Sequence, residues 1–175
     1  MSKIGKAALA GAIVAMAPAV QPQNLTLASA APVTSIDPHD HNLGPNNAMA
    51  MHVFDRLAER DGRARPYPSL ADSWRAVSET VWEFKLRRGV TWHDGRPFTA
   101  DDVVFSFARV PNIPNSPGGF QGFLRAITRV EVVDPHTIRL HTRQAHPLMP
   151  LDLASVSIVA RHAAEGATTE DFNTG

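Results

Sequence analysis

Residues 92–107 read Trp-His-Asp-Gly-Arg-Pro-Phe-Thr-Ala-Asp-Asp-Val-Val-Phe-Ser-Phe. The adjacent His93 and Asp94 suggest an acid–base pair, but their neighbours account for them as a joint. Trp92 closes a strand, and Asp94-Gly95 makes the turn, glycine accepting a positive φ while aspartate bonds its own backbone. Thr99 caps a helix with Asp102 at the reciprocal position, and the carboxylates of Asp101 and Asp102 lie at the positive end of the helix dipole. Val103, Phe107 and Val110 then share one side, with Val104 beside them. His93 is left as an exposed or hydrogen-bonded turn residue. The segment is a strand–turn–helix unit.

On either side of it the periodicity alternates between strand and helix. Trp82, Phe84 and Leu86 share one face of a strand whose Glu83 and Lys85 face water, and Val90 and Trp92 repeat the pattern. Val130–Val133 and Thr137–Thr142 flank Asp134-Pro135, the residue choice of a type I turn, and predict a hairpin. Between these strands, Asp101–Val110 is a helix ending at Pro111. Phe120–Ile127 is a second helix, with Phe120, Phe123, Leu124 and Ile127 on one face. Upstream, Gln23–Ser29 suits an opening strand and Ala30–Asn46 a loop. Ala48–Ala58 suits a helix with the stripe Met49, Val53, Phe54, Leu57. Asp61-Gly62 is a turn, and Pro68–Trp74 one helical turn leading into a strand at Arg75–Val77. Trp74, Trp82 and Trp92 read as core. The whole is an α+β chain, mainly antiparallel. Its tail begins a helix and a loop at Ala160–Gly175 and stops without a terminal strand, the pattern of an interrupted chain.

The 175 residues are 43% hydrophobic and 19% charged, with formal net charge zero. That balance is globular, and no basic stripe exists to neutralise phosphates, so nucleic acid is not an expected partner. The chain has no cysteine, which excludes disulfides, thiolate metal sites and a lipid-modified N-terminal Cys. Lys3 and Lys6 precede an apolar run from Ala7 to Ala17 that is too short to span a bilayer. Residues 1–19 therefore read as a secretory signal cleaved after Ala19, with 20–175 as the exported portion and no stable membrane insertion thereafter.

Asp37, His39, Asp40, His41 and His52 are acceptable metal ligands by type. They lie in one loop with a proline and lack the rigid convergence a site needs, so exposed turn residues are expected and no metal is assigned. No Gly-x-Ser-x-Gly elbow and no phosphate loop occurs. No enzyme and no cofactor is expected.

The runs Pro68-Ser-Leu-Ala-Asp-Ser-Trp74 and Trp82–Phe107, with Ser35-Ile-Asp-Pro38 and Val53-Phe-Asp-Arg-Leu57, closely resemble bacterial extracellular solute-binding proteins of the peptide/nickel type, the receptors of dipeptide and oligopeptide ABC importers. The resemblance implies the N-terminal third or so of a two-lobed periplasmic clamp, comprising the first lobe and its extra subdomain. It also implies a peptide or similar small solute as ligand and an inner-membrane permease as partner. It places ligand-contacting backbone at Ala30, Ala31, Val33 and Thr34, and a second contact at Gly119 and Phe120. Two further readings rest on the histidines: a nickel-chelate receptor of the same family, and a secreted metal-dependent hydrolase in which Asp37, His39 and His41 converge.

Overall fold

The computed structural model describes residues 26, 28 and 31–174. The signal segment 1–19, almost all of the opening strand, and Ala30 lie outside the described residues. Past an irregular stretch, α1 spans Gly44–Ala50, with Pro45 in its first turn and Met51 as its C-cap. This replaces the helix expected over Ala48–Ala58. Met49 and Val53 are 40% and 51% exposed, whereas Leu57 and Ala58 are fully buried and Ala58 belongs to strand β1. Proline pre-sets φ for a first helical turn, so the helix starts earlier than the apolar stripe suggests.

Strand β1 (Ala58–Arg60) pairs antiparallel with β2 (Pro66–Pro68). The connecting turn is held by Asp61, whose Oδ1 accepts the N–H groups of Arg63 and Arg65 at 2.9 Å. No helical turn forms at Pro68–Trp74. Instead β3 runs from Ala71 to Ser78 and turns directly into β4 (Val81–Leu86). Strand β5 (Ile127–Asp134) and β6 (Thr137–Thr142) form the expected hairpin, with Asp134 Oδ1 accepting the His136 N–H at 2.7 Å. These four strands make one antiparallel sheet in the order β3-β4-β6-β5.

The two faces of the sheet differ in chemistry. Phe84, Ile138 and Leu140 are fully buried on one face, with Trp74 and Trp82 tilted against Phe84 at 6.0 and 6.4 Å between ring centroids. The other face carries a row across all four strands in register: Arg75, Glu83, Arg139, Glu131. Glu83 was expected to face water, yet its side chain is only 4% exposed. Arg75 reaches its Oε1 at 2.7 Å and Arg139 its Oε2 at 2.9 Å. Hydrogen bonds from the two arginines hold the carboxyl of Glu83 below its usual range.

Between the strand pairs lies the segment read first. Gly95 has φ +85° and Asp94 Oδ1 accepts the Arg96 N–H. Trp92 meets Phe98 edge to face at 6.1 Å. Helix α2 (Ala100–Arg109) opens with the Thr99/Asp102 capping box, Asp102 Oδ2 accepting the Thr99 N–H at 3.0 Å. A 3-10 turn at Val110–Asn112 ends it. Helix α3 covers only Gln121–Leu124, and β5 already begins at Ile127, which is shorter than the helix expected over Phe120–Ile127. Short helices α4 (Met149–Leu153), α5 (Arg161–Ala164) and α6 (Thr169–Thr174) follow. Met149 and Leu153 join Leu57, Phe98, Val103, Phe107, Val156 and Ile158 in a continuous core over the apolar face of the sheet. Among the described residues no helix is long and apolar enough to cross a membrane.

Candidate functional site

The expected ligand-contacting residues fall into two groups. Ala31, Val33 and Thr34 are exposed and lie outside any helix or strand. Their main chain makes no backbone–backbone hydrogen bond to another described residue. The Thr34 N–H is donated to Asn46 Oδ1 at 2.9 Å, which ties this segment to the first turns of α1. The loop before α3 reaches the same region from the other side: the Asn42 N–H donates to Gly118 O at 2.8 Å, and Gly118 bridges to His41. Ser116 Oγ donates to Asp40 O. The two groups thus flank the His41–Asn46 segment.

Gly119 and Phe120 have separate roles. Gly119 lies on the rim between two open clefts. One, of about 900 Å³, runs between Phe107 and Pro111 at the end of α2, α3, and β5. The other, of about 790 Å³, lies between α3 and the Arg143–Asp152 segment and contains Arg125, Arg143 and His146. Phe120 is only 5% exposed and packs against Phe123 at 6.3 Å. Its ring belongs to the core, whereas Pro117 and Gly118 just before it are exposed.

Asp37 and His39 correct the expectation of exposed turn residues. Both are buried, at 2% and 0% exposure. Arg109, from the last turn of α2, donates Nη1 and Nη2 to the two oxygens of Asp37 at 2.8 and 2.7 Å. Thr169 Oγ1, from α6, donates to Oδ2 at 2.9 Å, and the Phe172 ring lies 4.6 Å from the Arg109 guanidinium carbon. His39 Nε2 lies 2.8 Å from Ser157 O and its Nδ1 lies 3.2 Å from Arg109 Nη1. Those partners require a neutral ring, protonated on Nε2 and accepting at Nδ1. Burial pushes the imidazole down to about 4, despite the carbonyl of Ser157. Burial works the other way on Asp37, but the hydrogen bonds from Arg109 and the His39 N–H, with the charge of Arg109 and the Thr169 hydroxyl, hold its carboxyl below its ordinary value of 3.8.

This arrangement is an anchor. It fixes the Ser35–Pro38 motif to α2, to the Ser157 strand-like segment and to α6, where Asn173 Oδ1 also accepts the Ile36 N–H at 2.7 Å. No group of three or more His, Asp or Glu side chains among the described residues is arranged to hold a metal ion. His41 and His52 stand apart from the Asp37 anchor. The partners of Asp37 and His39 were not visible in the sequence, since Arg109, Ser157 and Thr169 carry no local signal linking them to residue 37.

With this geometry in view, the relatives are informative. Residues 65–175 match the family described as bacterial extracellular solute-binding proteins, family 5 Middle, and the chain belongs to that family. Over 121 residues it is 32% identical to the periplasmic oligopeptide-binding protein OppA of Escherichia coli, covering 69% of this chain and 22% of that one. Over 182 aligned residues it is 32% identical to the dipeptide-binding protein of E. coli, covering 89% of this chain and 34% of that one. Among solved structures it superposes on MoaA of Agrobacterium tumefaciens, a binding protein in complex with mannopinic acid, with TM-score 0.69 and 28% identity over 81% of this chain and 30% of that one. The chain therefore spans about a fifth to a third of the length of these relatives. Its fold is one portion of the two-lobed periplasmic binding-protein architecture.

Proposed function

We propose that this chain is the N-terminal portion of the substrate-binding component of an ABC importer. Residues 1–19 would be a secretory signal, and 20–175 part of the first lobe with its extra subdomain. In this reading the protein works in the periplasm, performs no catalysis, captures peptides or similar small solutes between two lobes, and delivers them to a membrane permease. The observation that carries the proposal is the family match over residues 65–175.

The geometry supports a peptide as ligand. The exposed Ala31–Thr34 main chain, free of backbone–backbone hydrogen bonds to described residues, is available to pair with an added strand, a mode in which backbone hydrogen bonds supply affinity with little dependence on sequence. Gly118 lets a ligand backbone approach without meeting a side chain, whereas at Gly119 the Gln121 and Ser116 side chains already fill the position of a Cβ. Ala30, Ala31, Val33, Thr34 and Gly119 are the proposed contacts in this chain. Phe120 acts by supporting the loop. The nickel-chelate and hydrolase readings draw on His39, whose two ring nitrogens are already engaged by Ser157 and Arg109.

Calorimetry on the intact protein with a dipeptide and tripeptide panel tests the proposal. Saturable heat with peptides, and a Val33→Pro variant binding about tenfold more weakly through loss of one main-chain donor, is the expected result. Tight binding of a nickel chelate with no peptide heat would refute the peptide assignment.

A further inference from the structure

Strand β5 is an edge of the four-stranded sheet. The order β3-β4-β6-β5 gives it β6 on one side and no described strand on the other. Outside its ladder with β6, its main chain makes no backbone–backbone hydrogen bond to a described residue. In an antiparallel ladder alternate residues turn their N–H and C=O away from the partner, so the outer side of β5 is a row of free donors and acceptors. Val132 and Val133 on this edge are 44% and 45% exposed. The run Ile127-Thr-Arg-Val-Glu-Val-Val133 holds no proline, lysine or glycine to blunt it.

The edge is complementary to itself. Val130 and Val132 lie opposite Leu140 and Ile138 on the apolar face of the sheet, while Arg129 and Glu131 lie opposite His141 and Arg139 on the charged face. The chemistry is mirrored about Val130: Arg129 answers Glu131, Thr128 answers Val132, and Ile127 answers Val133. Two copies paired antiparallel about a twofold axis through Val130 therefore set each Arg129 against the Glu131 of the other. They also keep both apolar faces on one side of a continuous sheet. Opposite charges facing each other stabilise such a ladder, and like charges oppose it. Moving the axis by one residue, onto Arg129 or Glu131, puts two arginines or two glutamates face to face, so the charges select one register. At present Arg129 Nη2 lies 2.9 Å from Glu131 Oε2 of its own strand, with the side chains 59% and 31% exposed. Ion pairs that exposed contribute little, so exchanging this one for a cross-strand pair costs little. The ladder with β6 is irregular between Ile127 and Arg129 and between Val132 and Asp134. That confines regular pairing to the residues around Val130 and makes the association weak and reversible.

We propose that the β5 edge is a self-association surface on which a second copy of this chain adds its own β5, antiparallel and centred on Val130, with Arg129 of each copy against Glu131 of the other. The inference stands on the strand edge and is independent of the importer reading.

Sedimentation velocity of the intact protein over a concentration series tests it, with circular dichroism showing that each variant is folded. The expected result is a monomer–dimer mixture that shifts toward dimer with concentration and toward monomer as salt screens the pairs. Glu131→Arg sets arginine against arginine and Arg129→Glu sets glutamate against glutamate, and each weakens self-association about tenfold or more. The two single variants, mixed, associate with each other, and the double variant Arg129→Glu/Glu131→Arg recovers the dimer. The chain has no native cysteine, so Val130→Cys reads the register directly. Its Cα lies about 5 Å from its mate across the axis, within disulfide reach, and diamide oxidises the two thiols to a covalent dimer. Val132→Cys is more exposed, but at about 13 Å from its mate it stays monomeric. A wild-type protein that is monomeric throughout overturns the proposal. So does a dimer that neither charge reversal weakens, or one that links through Val132→Cys as readily as through Val130→Cys. Peptide heat in calorimetry from a strictly monomeric protein would refute this surface while leaving the importer reading intact.

Discussion

Asp37 and Arg109, 72 residues apart, meet in a two-point ion pair at 2.7 and 2.8 Å in which the side chains are 0% and 8% exposed. The pair joins the Ser35–Pro38 motif to the end of α2. Removing one partner leaves the other as an uncompensated buried charge. Arg109→Ala is expected to destabilise the protein by about 3–5 kcal/mol, read as a lower urea midpoint at unchanged slope.

His39 makes stability depend on pH. Its folded pKa of about 4 lies below its ordinary value of 6.5, so between these values the unfolded chain binds a proton that the folded chain does not. Stability is therefore full above about pH 6.5 and falls as pH drops toward 4, by about 3 kcal/mol for this group. Denaturant titrations across that window check the slope. His39→Gln, which keeps a donor for Ser157 O, should flatten it. Asp37 loses its own contribution only as pH falls below 3.8, through its depressed folded pKa.

Asp102 connects three parts of the fold. Its oxygens accept the Thr99 N–H at 3.0 Å, the Arg161 N–H at 2.8 Å and the Trp92 indole N–H at 3.3 Å. Asp102→Ala leaves these donors without their acceptor and should cost about 2–3 kcal/mol, against about 1 kcal/mol for Thr99→Ala. Chemical denaturation followed by tryptophan fluorescence measures both, and equal losses would show that the three-way contact contributes nothing beyond the cap.

Phe84 is the centre of the apolar sheet face, fully buried between Trp74 and Trp82. Phe84→Ala is expected to cost about 3–5 kcal/mol through lost burial and the cavity left behind. Calorimetric melting reads the loss, and a near-wild-type melt would place the core elsewhere.

The elements read correctly from sequence are those whose causes are local. Thr99 and Asp102 lie three residues apart and cap α2 whatever the rest of the chain does, and Asp134-Pro135 turns a hairpin between two alternating strands. The errors arose where tertiary contacts overrode local pattern. The stripe Met49, Val53, Phe54, Leu57 has helical spacing, but Leu57 and Ala58 are drawn into the core and β1, leaving Met49 and Val53 in solvent. Glu83 alternates as a water-facing residue, but its cross-strand partners are both arginines, which cover and neutralise it.

The candidate site divides the same way. The resemblance in the sequence pointed to Ala30–Thr34, Gly119 and Phe120 as ligand contacts, and what the fold adds is that Thr34 bonds Asn46 and Gly118 bonds Asn42. Phe120 shares its loop with Gly119, and only packing reveals that its ring points into the core. The family was legible from the sequence alone, because strand–turn–helix joints are written in neighbouring residues. The burial of Asp37 and His39 was decided only by tertiary structure. The partners of Asp37 and His39 come from residues up to 132 positions away, and pairing at that separation depends on the path of the whole chain and leaves no local signal.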